Sequence, residues 1–270
     1  MDLTIATWNC FQGTDQKLPA LMQAFGPDIA VVPESSSSPA IATPRLIGEA
    51  FPHVWTGSSP SKGLGIYGRP GASLVAREVI EGRSEHGLAV DVDLEGHQLS
   101  VLGIWTVPLP GTGHPTPYMG ALAHILDRHA ALIATGQTVV AGDINCSAQS
   151  SPDSFAGFFQ ELLDRHGLVS AYHHHTGLAF GSEAHGTLYW RRKRNASYHC
   201  DVILVPESWQ VHDVHVGDYE TWCADDAPAR SDHVPVVARV SLSGASTPPA
   251  PPSPEKRPPA DPNRTGAPKA

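Results

Sequence analysis

The sequence predicts an α+β fold in which two packed β-sheets are flanked by helices. Short apolar runs rich in β-branched residues recur along the chain, whereas only three segments have helical spacing. The predicted strands are Leu3–Trp8, Ile29–Val32, Leu74–Val79, Leu88–Val92, Leu99–Trp105, Val139–Ala141, Val202–Val205, Val211–Val216 and Val234–Leu242. Runs of strands in both halves with few covering helices favour two packed sheets over a singly wound parallel sheet.

The predicted helices are Lys17–Phe25, Met119–Ala134 and Phe155–His166. Ser151 and Pro152, which precede the third helix, are typical of a helix cap and a first helical residue. A chain of 270 residues with 41% hydrophobic content has enough apolar material for one large domain or two small ones.

Residues 1–243 are predicted to form the folded domain, and residues 244–270 a disordered tail. The tail holds nine prolines and no large apolar side chain, so it buries too little surface to offset the entropy of ordering. Subtracting its charge of +2 from the chain's −9 leaves −11 on the domain. This acidic charge argues against a protein that coats nucleic acid, but not against a nuclease whose carboxylates hold a metal.

Localisation is predicted to be cytoplasmic, without a membrane span. The chain enters a strand pattern directly at Met1–Ile5, with no basic region followed by an apolar stretch, and no window approaches about 18 apolar residues. No feature indicates a protein partner, and the Pro-rich tail is interpreted as a solubilising appendage.

The cysteines are predicted to be reduced and buried, because they lack zinc-site spacing and are too few for a disulfide scaffold. They are Cys10, Cys146, Cys200 and Cys223. The first three adjoin the polar residues Asn9, Asn145 and Asp201. Because neighbouring strand residues point to opposite faces, each of these cysteines is expected to pack behind a site that its neighbour faces.

Five segments place a carboxylate, a carboxamide or a histidine at the end of a strand-like run. They are Thr7–Asn9, Val32–Glu34, Ala141–Asn145, His199–Ile203 and Arg230–His233. Each segment alone is weak evidence, because polar residues also terminate strands and cap turns. Their combination and order carry the functional prediction.

Together these segments resemble the endonuclease/exonuclease/phosphatase superfamily. This superfamily includes apurinic-site endonucleases, pancreatic-type deoxyribonucleases, inositol polyphosphate phosphatases and neutral sphingomyelinases. The resemblance covers residues 1 to about 242 and implies a DNase I-like four-layer αββα sandwich of two mixed sheets. The stretches Gly167–His173, Gly186–Trp190 and Tyr198–Asp201 are similar to a bacterial group within it.

The resemblance implies a Mg²⁺ or Mn²⁺ site. Glu34 matches the family's metal ligand, with Asn9 assisting through its carboxamide oxygen and Asp232 contributing. A hard cation neutralises charge on a phosphate, which suits hydrolysis of its esters.

Four residues are predicted to be catalytic on the same resemblance. Asp143 would orient or deprotonate the attacking water, and Asn145 would hold both Asp143 and the phosphoryl oxygen. His233 would contact the phosphate, with its imidazole fixed by Asp201.

The sequence departs from the family pattern at several positions. Many members have a phosphate-contacting His or Tyr after the strand that ends here at Trp105 and Thr106, so these two residues are predicted to bind substrate. The usual Arg before the preceding strand is missing, and His86 is a candidate substitute. Pro33 replaces the Gln often found before the metal-binding Glu. These departures suggest a reduced rate or an unusual substrate.

Two other patterns favour structural explanations. Gly63–Gly68 satisfies the Gly-x-Gly-x-x-Gly expression, but another strand is predicted after it, so the glycines are interpreted as serving a turn and a close-packed strand. His173–His175 lacks a second ligand cluster for zinc and is interpreted as a polar strand end or loop. A functional alternative is contact of His173 with the phosphate.

The basic run Arg191–Arg194 follows Tyr189 and Trp190. One interpretation is a solvated hairpin turn between two strands. The alternative is a nucleic-acid contact in which Tyr189, Arg191 and Arg192 bind substrate. In that interpretation an aromatic side chain stacks on a base and the arginines contact the phosphate backbone.

The sequence therefore predicts a hydrolase of phosphodiesters or phosphomonoesters that activates water without a covalent intermediate. The expected partner is the phosphoester substrate, with nucleic acids and nucleotides among the candidates; the acidic domain slightly favours a small substrate. The alternative is a phosphate- or nucleic-acid-binding protein with little or no turnover, and a zinc protein built on the histidine run is a third hypothesis.

Overall fold

The computed structural model describes residues 1–37, 51–77, 87–151, 154–227 and 230–242. No helix within these ranges combines the length and apolar character needed to cross a membrane. The predicted tail, residues 244–270, and the substitute candidate His86 lie outside the described residues.

The first sheet has six strands, which come from the N-terminal and C-terminal parts of the described chain. Its strands are β1 (Asp2–Thr7), β2 (Ile29–Ser35), β3 (His53–Ser59), β4 (Lys62–Gly68), β13 (Gln210–Val216) and β14 (Val236–Ser241). The order is β13-β14-β1-β2-β4-β3, and only β1 and β2 pair in parallel. The Gly-rich run lies in β4 as expected, where a Cβ on Gly65 would press against Tyr67 and Ser35.

The second sheet also has six strands. They are β5 (Ser73–Ala76), β6 (Gly87–Leu94), β7 (His97–Trp105), β8 (Thr138–Asp143), β9 (Leu168–Ser170) and β12 (Asp201–Pro206). The order is β5-β6-β7-β8-β12-β9, with β7 and β8 parallel. A separate two-stranded ribbon joins β10 (Leu188–Tyr189) to β11 (Ser197–Tyr198).

Six helices accompany the sheets in the described ranges. They are α1 (Thr14–Phe25), α2 (Pro117–Arg128), α3 (Ala130–Ile133), α4 (Phe155–His166), α5 (Ala171–Thr176) and α6 (Tyr219–Trp222). The predicted continuous helix Met119–Ala134 is wrong, because His129 leaves the helical conformation with φ −105° and ψ 15°. Ser154, and not the predicted Ser151, holds the N-cap position of α4, without a side-chain hydrogen bond to the helix. The interpretation of His173–His175 as a strand end or loop is also wrong, because these residues belong to α5.

Three apolar layers hold the sandwich together. Ile5, Val31 and Ile203 are among the buried residues between the two sheets. Side chains on the outer face of the second sheet pack against α2 and α4, and those on the outer face of the first sheet pack against α1 and α6. Both faces of the central strands are therefore covered, which explains their nearly continuous apolar sequences. The predicted four-layer αββα sandwich is confirmed.

Gly142 gives the first testable prediction, because it immediately precedes Asp143 at a position that only glycine fits. Its φ is 146°, and a Cβ there would overlap the carbonyl oxygen of Ile104 on β7. We expect Gly142→Ala to lower the free energy of unfolding by about 2–3 kcal/mol, measured by urea denaturation.

The matched control is Gly157→Ala in α4, where an added Cβ meets nothing within 4 Å. Alanine is favoured over glycine inside a helix, so this variant should gain about 0.5–1 kcal/mol. Equal stabilities of the two variants would contradict the packing assigned to Gly142.

Candidate active site

The first sheet delivers three of the candidate residues to one edge of the sandwich. Asn9 follows β1 and Glu34 lies near the end of the parallel neighbour β2, so the two side chains emerge at the same end. His233 precedes β14, which runs antiparallel to β1 and therefore starts where β1 ends. Glu34 lies at a register shift of β2 with a left-handed φ of 57°, which re-aims its carboxylate.

The second sheet delivers the other residues to the same edge. Asp143 ends β8, Trp105 ends the parallel strand β7, and the two are register partners. Asp201 begins the antiparallel strand β12 and is the partner of Asp143 on the other side. Two buried carboxylates are thus placed on adjacent strands at one sheet edge.

Hydrogen bonds fix both oxygens of Asp143. The backbone N–H of Asn145 donates to Oδ1 at 2.9 Å, and the Asn145 side chain donates to Oδ2 at 3.1 Å. Asn9 also donates its Nδ2 to Oδ2, at 3.0 Å, across the sheet interface. Asn145 adopts a left-handed φ of 49°, a strained conformation that its bonds to Asp143 compensate.

His233 is held between the two buried carboxylates. Its Nδ1 lies 2.8 Å from Oδ2 of Asp201, and its Nε2 lies 4.0 Å from Oδ2 of Asp143. Trp8 donates its indole N–H to the His233 carbonyl at 2.9 Å. Ser231 donates to the Asn9 carbonyl at 2.8 Å and accepts from the His233 N–H at 3.2 Å. Ser231 therefore connects the two segments that carry Asn9 and His233.

The electrostatics of this cluster favour an imidazolium. Burial alone would lower the pKa of His233, but the charge of Asp201, its hydrogen bond and the charges of Asp143 and Asp232 raise it to about 10. Burial, with the charge of Asp201, raises the pKa of Asp143 to about 6 despite the nearby His233. At neutral pH a protonated His233 thus faces an ionised Asp143, which remains able to accept a proton.

Lys62 is a member of the cleft that the sequence did not single out. Its Nζ lies 3.1 Å from Oε2 of Glu34 and 5.1 Å from the ring centroid of Trp105. Lys62 begins β4 beside the end of β2, and no motif marks that position. Thr187 was also missed as a positioning residue, although it lies in a motif quoted above; its Oγ1 accepts the backbone N–H groups of Cys200 and Asp201, both at 3.0 Å.

The oxygen ligands predicted to hold a metal are compatible with a hard divalent cation. Glu34 and Asp232 offer carboxylates, and Oδ1 of Asp232 is buried with no hydrogen-bond partner. Asn9 offers its Oδ1, which also accepts the Phe11 N–H at 3.0 Å, while its Nδ2 lies 3.4 Å from Oε1 of Glu34. Mg²⁺ and Mn²⁺ prefer such all-oxygen sets. The donor set thus fits the expected ion.

Trp105 and Thr106, which the sequence predicted to bind substrate, lie in different surroundings at the end of β7. Trp105 turns towards Lys62, as described above. Thr106 is fully buried and donates its hydroxyl to the Ile144 carbonyl, and its own carbonyl accepts from the Asn145 side chain at 3.0 Å. Thr106 therefore supports the Asp143–Asn145 turn and presents no hydroxyl to the cleft.

His173 offers substrate no ring nitrogen in this structure. Its Nδ1 lies 2.8 Å from the Ser170 hydroxyl, and its Nε2 lies 3.1 Å from Oε1 of Glu183. The predicted phosphate contact of His173 is not supported by this arrangement.

The basic run forms the loop of the β10–β11 hairpin, as one interpretation expected. Tyr189 packs against Tyr219 with ring centroids 4.9 Å apart, whereas Trp190 is 53% exposed. Arg191 and Arg192 both have a left-handed φ of 54°.

Burial lowers the pKa of Lys17, and the charge of nearby Arg192 lowers it further, while the charges of Asp232 and Glu34 raise it. The charges of Arg192, Asp232 and Glu34 are thus all close enough to Lys17 to act on it.

The fold matches several solved nucleic-acid enzymes. The 3′ phosphatase NExo from Neisseria, bound to a product DNA hairpin, is 20% identical with a TM-score of 0.57; the match covers 87% of this chain and 98% of that one. The chain has the endonuclease/exonuclease/phosphatase fold. An AP endonuclease from Archaeoglobus fulgidus with this fold is 18% identical with a TM-score of 0.60, over 87% of this chain and 98% of that one.

A third match is an endonuclease/exonuclease/phosphatase from Beutenbergia cavernae. It is 17% identical with a TM-score of 0.53, over 90% of this chain and 72% of that one. No protein-family profile and no curated protein sequence matches the chain. At these identities the likeness establishes the fold, so the roles of individual residues depend on the geometry described above.

Lys62 gives the second testable prediction, because its ammonium group competes with a cation for Glu34. Lys62→Met removes that competition, so Mn²⁺ should bind about two- to fivefold more tightly, measured by isothermal titration calorimetry. The control is Arg77→Met, which removes a cation paired with Asp91 at 2.7 Å on the outer strands and should leave Mn²⁺ affinity unchanged. Unchanged or weaker Mn²⁺ binding by Lys62→Met would contradict this role.

Proposed function

We propose that the chain is a metal-dependent hydrolase of phosphoesters that uses an activated water. The observation that carries this proposal is the pairing of two hydrogen-bonded units, Asp143 with Asn145 and Asp201 with His233, beside an all-oxygen ligand set. Phosphoester hydrolysis needs a proton acceptor for water, donors for the phosphoryl oxygens and a cation. Each requirement has a candidate group at this sheet edge.

Asp143 would accept the proton of the attacking water. Its pKa of about 6 leaves it ionised at pH 7–8, yet close enough to neutrality for efficient proton transfer. The two donors from Asn145 and the donor from Asn9 hold the carboxylate in one orientation. A fixed carboxylate loses little entropy when it aligns the water with the phosphorus.

His233 would donate a hydrogen bond to a phosphoryl oxygen through Nε2. Asp201 occupies Nδ1, keeps the ring in place and maintains its positive charge. Charge that develops on the phosphoryl group would therefore meet a preorganised cation in a buried setting. Mg²⁺ or Mn²⁺ held by Asn9, Glu34 and Asp232 would supply further neutralisation of phosphate charge.

The substrate that we propose is a nucleic acid or a nucleotide. The hairpin loop carries Arg191 and Arg192 in an otherwise acidic domain, and its exposed Trp190 lines the same cavity as Asn145. Aromatic and cationic side chains in one loop suit a base and its phosphates. The 3′ phosphatase NExo, which shares this fold, binds a product DNA hairpin, and this likeness favours the same substrate class.

Substitution of His233 tests the hydrolase directly. We expect metal-dependent cleavage of at least one of bis-p-nitrophenyl phosphate, p-nitrophenyl phosphate, plasmid DNA, abasic DNA or RNA, and none with EDTA. His233→Ala should lower the rate on the order of 10²-fold to 10⁴-fold, because it removes the donor to the phosphoryl oxygen.

The control is His97→Ala, which alters an exposed histidine at the opposite end of β7 and should keep the wild-type rate. Equal hydrolysis rates of His233→Ala and His97→Ala would contradict the proposed role of His233. Absence of turnover by folded, metal-loaded wild type on every substrate would instead favour the phosphate- or nucleic-acid-binding alternative.

The hairpin loop gives a separate prediction about substrate class. The double variant Arg191→Ala/Arg192→Ala should raise KM for an oligonucleotide with a 3′ phosphate about tenfold, and reduce the salt dependence of kcat/KM, because phosphate contacts are lost. Turnover of p-nitrophenyl phosphate should not change.

Arg128→Ala/Arg165→Ala makes the same charge change on α2 and α4 and should behave as wild type on both substrates. An equal loss on the oligonucleotide in both double variants would mean that overall charge, and not the loop, governs binding.

A further inference from the structure

Cys200 packs in the apolar layer on the outer face of the second sheet, as expected, and its thiol also reaches the polar cluster of the cleft. One ligand atom each from Cys200, Asp143 and His233 lie within 4.8 Å of one another, and all three residues are buried. Cys200 immediately precedes β12 and shares the outer face of the sheet with Val202 and Leu204, yet its Sγ lies only 3.8 Å from Oδ2 of Asp201 at the start of the strand. The thiol therefore belongs to the cluster that holds the two proposed catalytic groups.

The donor set of this cluster differs from the oxygen set at Asn9, Glu34 and Asp232. It combines one sulfur, one imidazole nitrogen and one carboxylate oxygen. Zinc accepts this combination in tetrahedral sites, whereas Mg²⁺ disfavours sulfur and nitrogen. The two sets thus select different classes of cation.

His233 is oriented as histidines that bind zinc usually are. Its Nδ1 is engaged by Asp201 at 2.8 Å, and its Nε2 lies 4.0 Å from Asp143. A carboxylate on the far nitrogen fixes the tautomer and increases the basicity of the ligating nitrogen. Asp201 retains a second buried oxygen, Oδ1, that has no partner.

The other two ligands are also held in place before any ion arrives. Asp143 is fixed by Asn145 and Asn9, as described above. The backbone N–H of Cys200 donates to Thr187 Oγ1, and its Sγ lies 3.8 Å from Oδ2 of Asp201. Zinc bonds of about 2.0–2.3 Å place tetrahedral ligands roughly 3.3–3.8 Å apart, so contraction of about 1 Å closes the site.

We infer that Asp143, Cys200 and His233 form a site for Zn²⁺ whose occupancy inhibits hydrolysis. Binding exchanges the thiol proton of Cys200 and the Nε2 proton of His233 for the ion, releases both protons to solvent and transfers no electrons. The ion takes the carboxylate oxygen proposed to receive the proton of water and the nitrogen proposed to face the phosphate. The binding stands on the cluster geometry alone, whereas the inhibition rests on the proposed function.

Cobalt spectroscopy on the metal-free full chain tests the binding without any activity. One equivalent of Co²⁺ should give the thiolate-to-cobalt charge-transfer band and the intense visible bands of a tetrahedral site, and Zn²⁺ should abolish both. Cys200→Ala should lose the charge-transfer band and bind Zn²⁺ at least about 10²-fold more weakly in competition with a chromophoric chelator.

The matched control is Cys223→Ala, which removes another buried thiol and should keep the wild-type spectrum. The wild-type spectrum decides the matter even if Cys200→Ala does not fold. Absence of a charge-transfer band in wild type, or its persistence in folded Cys200→Ala, would overturn the site.

Zinc titration under saturating Mg²⁺ tests the inhibition. Wild type and Cys223→Ala should lose activity as Zn²⁺ rises and regain it on chelation, whereas Cys200→Ala should require at least about 10²-fold more Zn²⁺ relative to its own zinc-free rate. Equal zinc sensitivity of Cys200→Ala and Cys223→Ala would overturn the inhibitory role. A thiolate-to-cobalt charge-transfer band in a protein that hydrolyses none of the substrates would support the zinc site and contradict the proposed function.

Discussion

Burial of two carboxylates against one imidazole is the constraint on which the cleft depends. Asp143 and Asp201 are fully buried on adjacent strands, and a buried ion without a partner costs several kcal/mol, about the stability of a small domain. His233 offsets that cost as a cation, which is why its pKa rises to about 10 against the effect of burial. The same charge would stabilise a phosphoryl group, so stability and the proposed chemistry draw on one arrangement.

The cluster also joins the two halves of the sandwich. Asn9 and His233 come from the first sheet, and their partners Asp143 and Asp201 come from the second. Strand pairing brings these residues to the same end of the two sheets. Side-chain hydrogen bonds from Ser231, Thr187 and Trp8 fix the connecting backbone. A shift between the sheets would therefore break the polar network as well as the apolar core between them.

Strand patterns predicted the sandwich because both faces of the central strands are buried, which makes β1, β8 and β12 nearly continuous apolar runs. The same patterns missed β3, whose seven residues are all partly or fully exposed, and α5, whose three histidines resemble a loop. Lys62 could not be predicted, because its role depends on the pairing of β4 with β2. Cys200 packs behind the site with Val202 and Leu204, as strand alternation predicted, but alternation could not show that its thiol also lies near Asp143 and His233.

The most direct measurement is the protonation state of His233 in the metal-free protein, from its ¹⁵N ring shifts across a pH titration. The imidazole should carry protons on both nitrogens at pH 7 and lose one as pH approaches about 10; in Asp201→Asn the transition should move to lower pH, because a charge and its hydrogen bond are weakened. A neutral His233 at pH 7 in folded wild type would contradict the account, because neither the buried carboxylates nor the phosphoryl group would then have their cation.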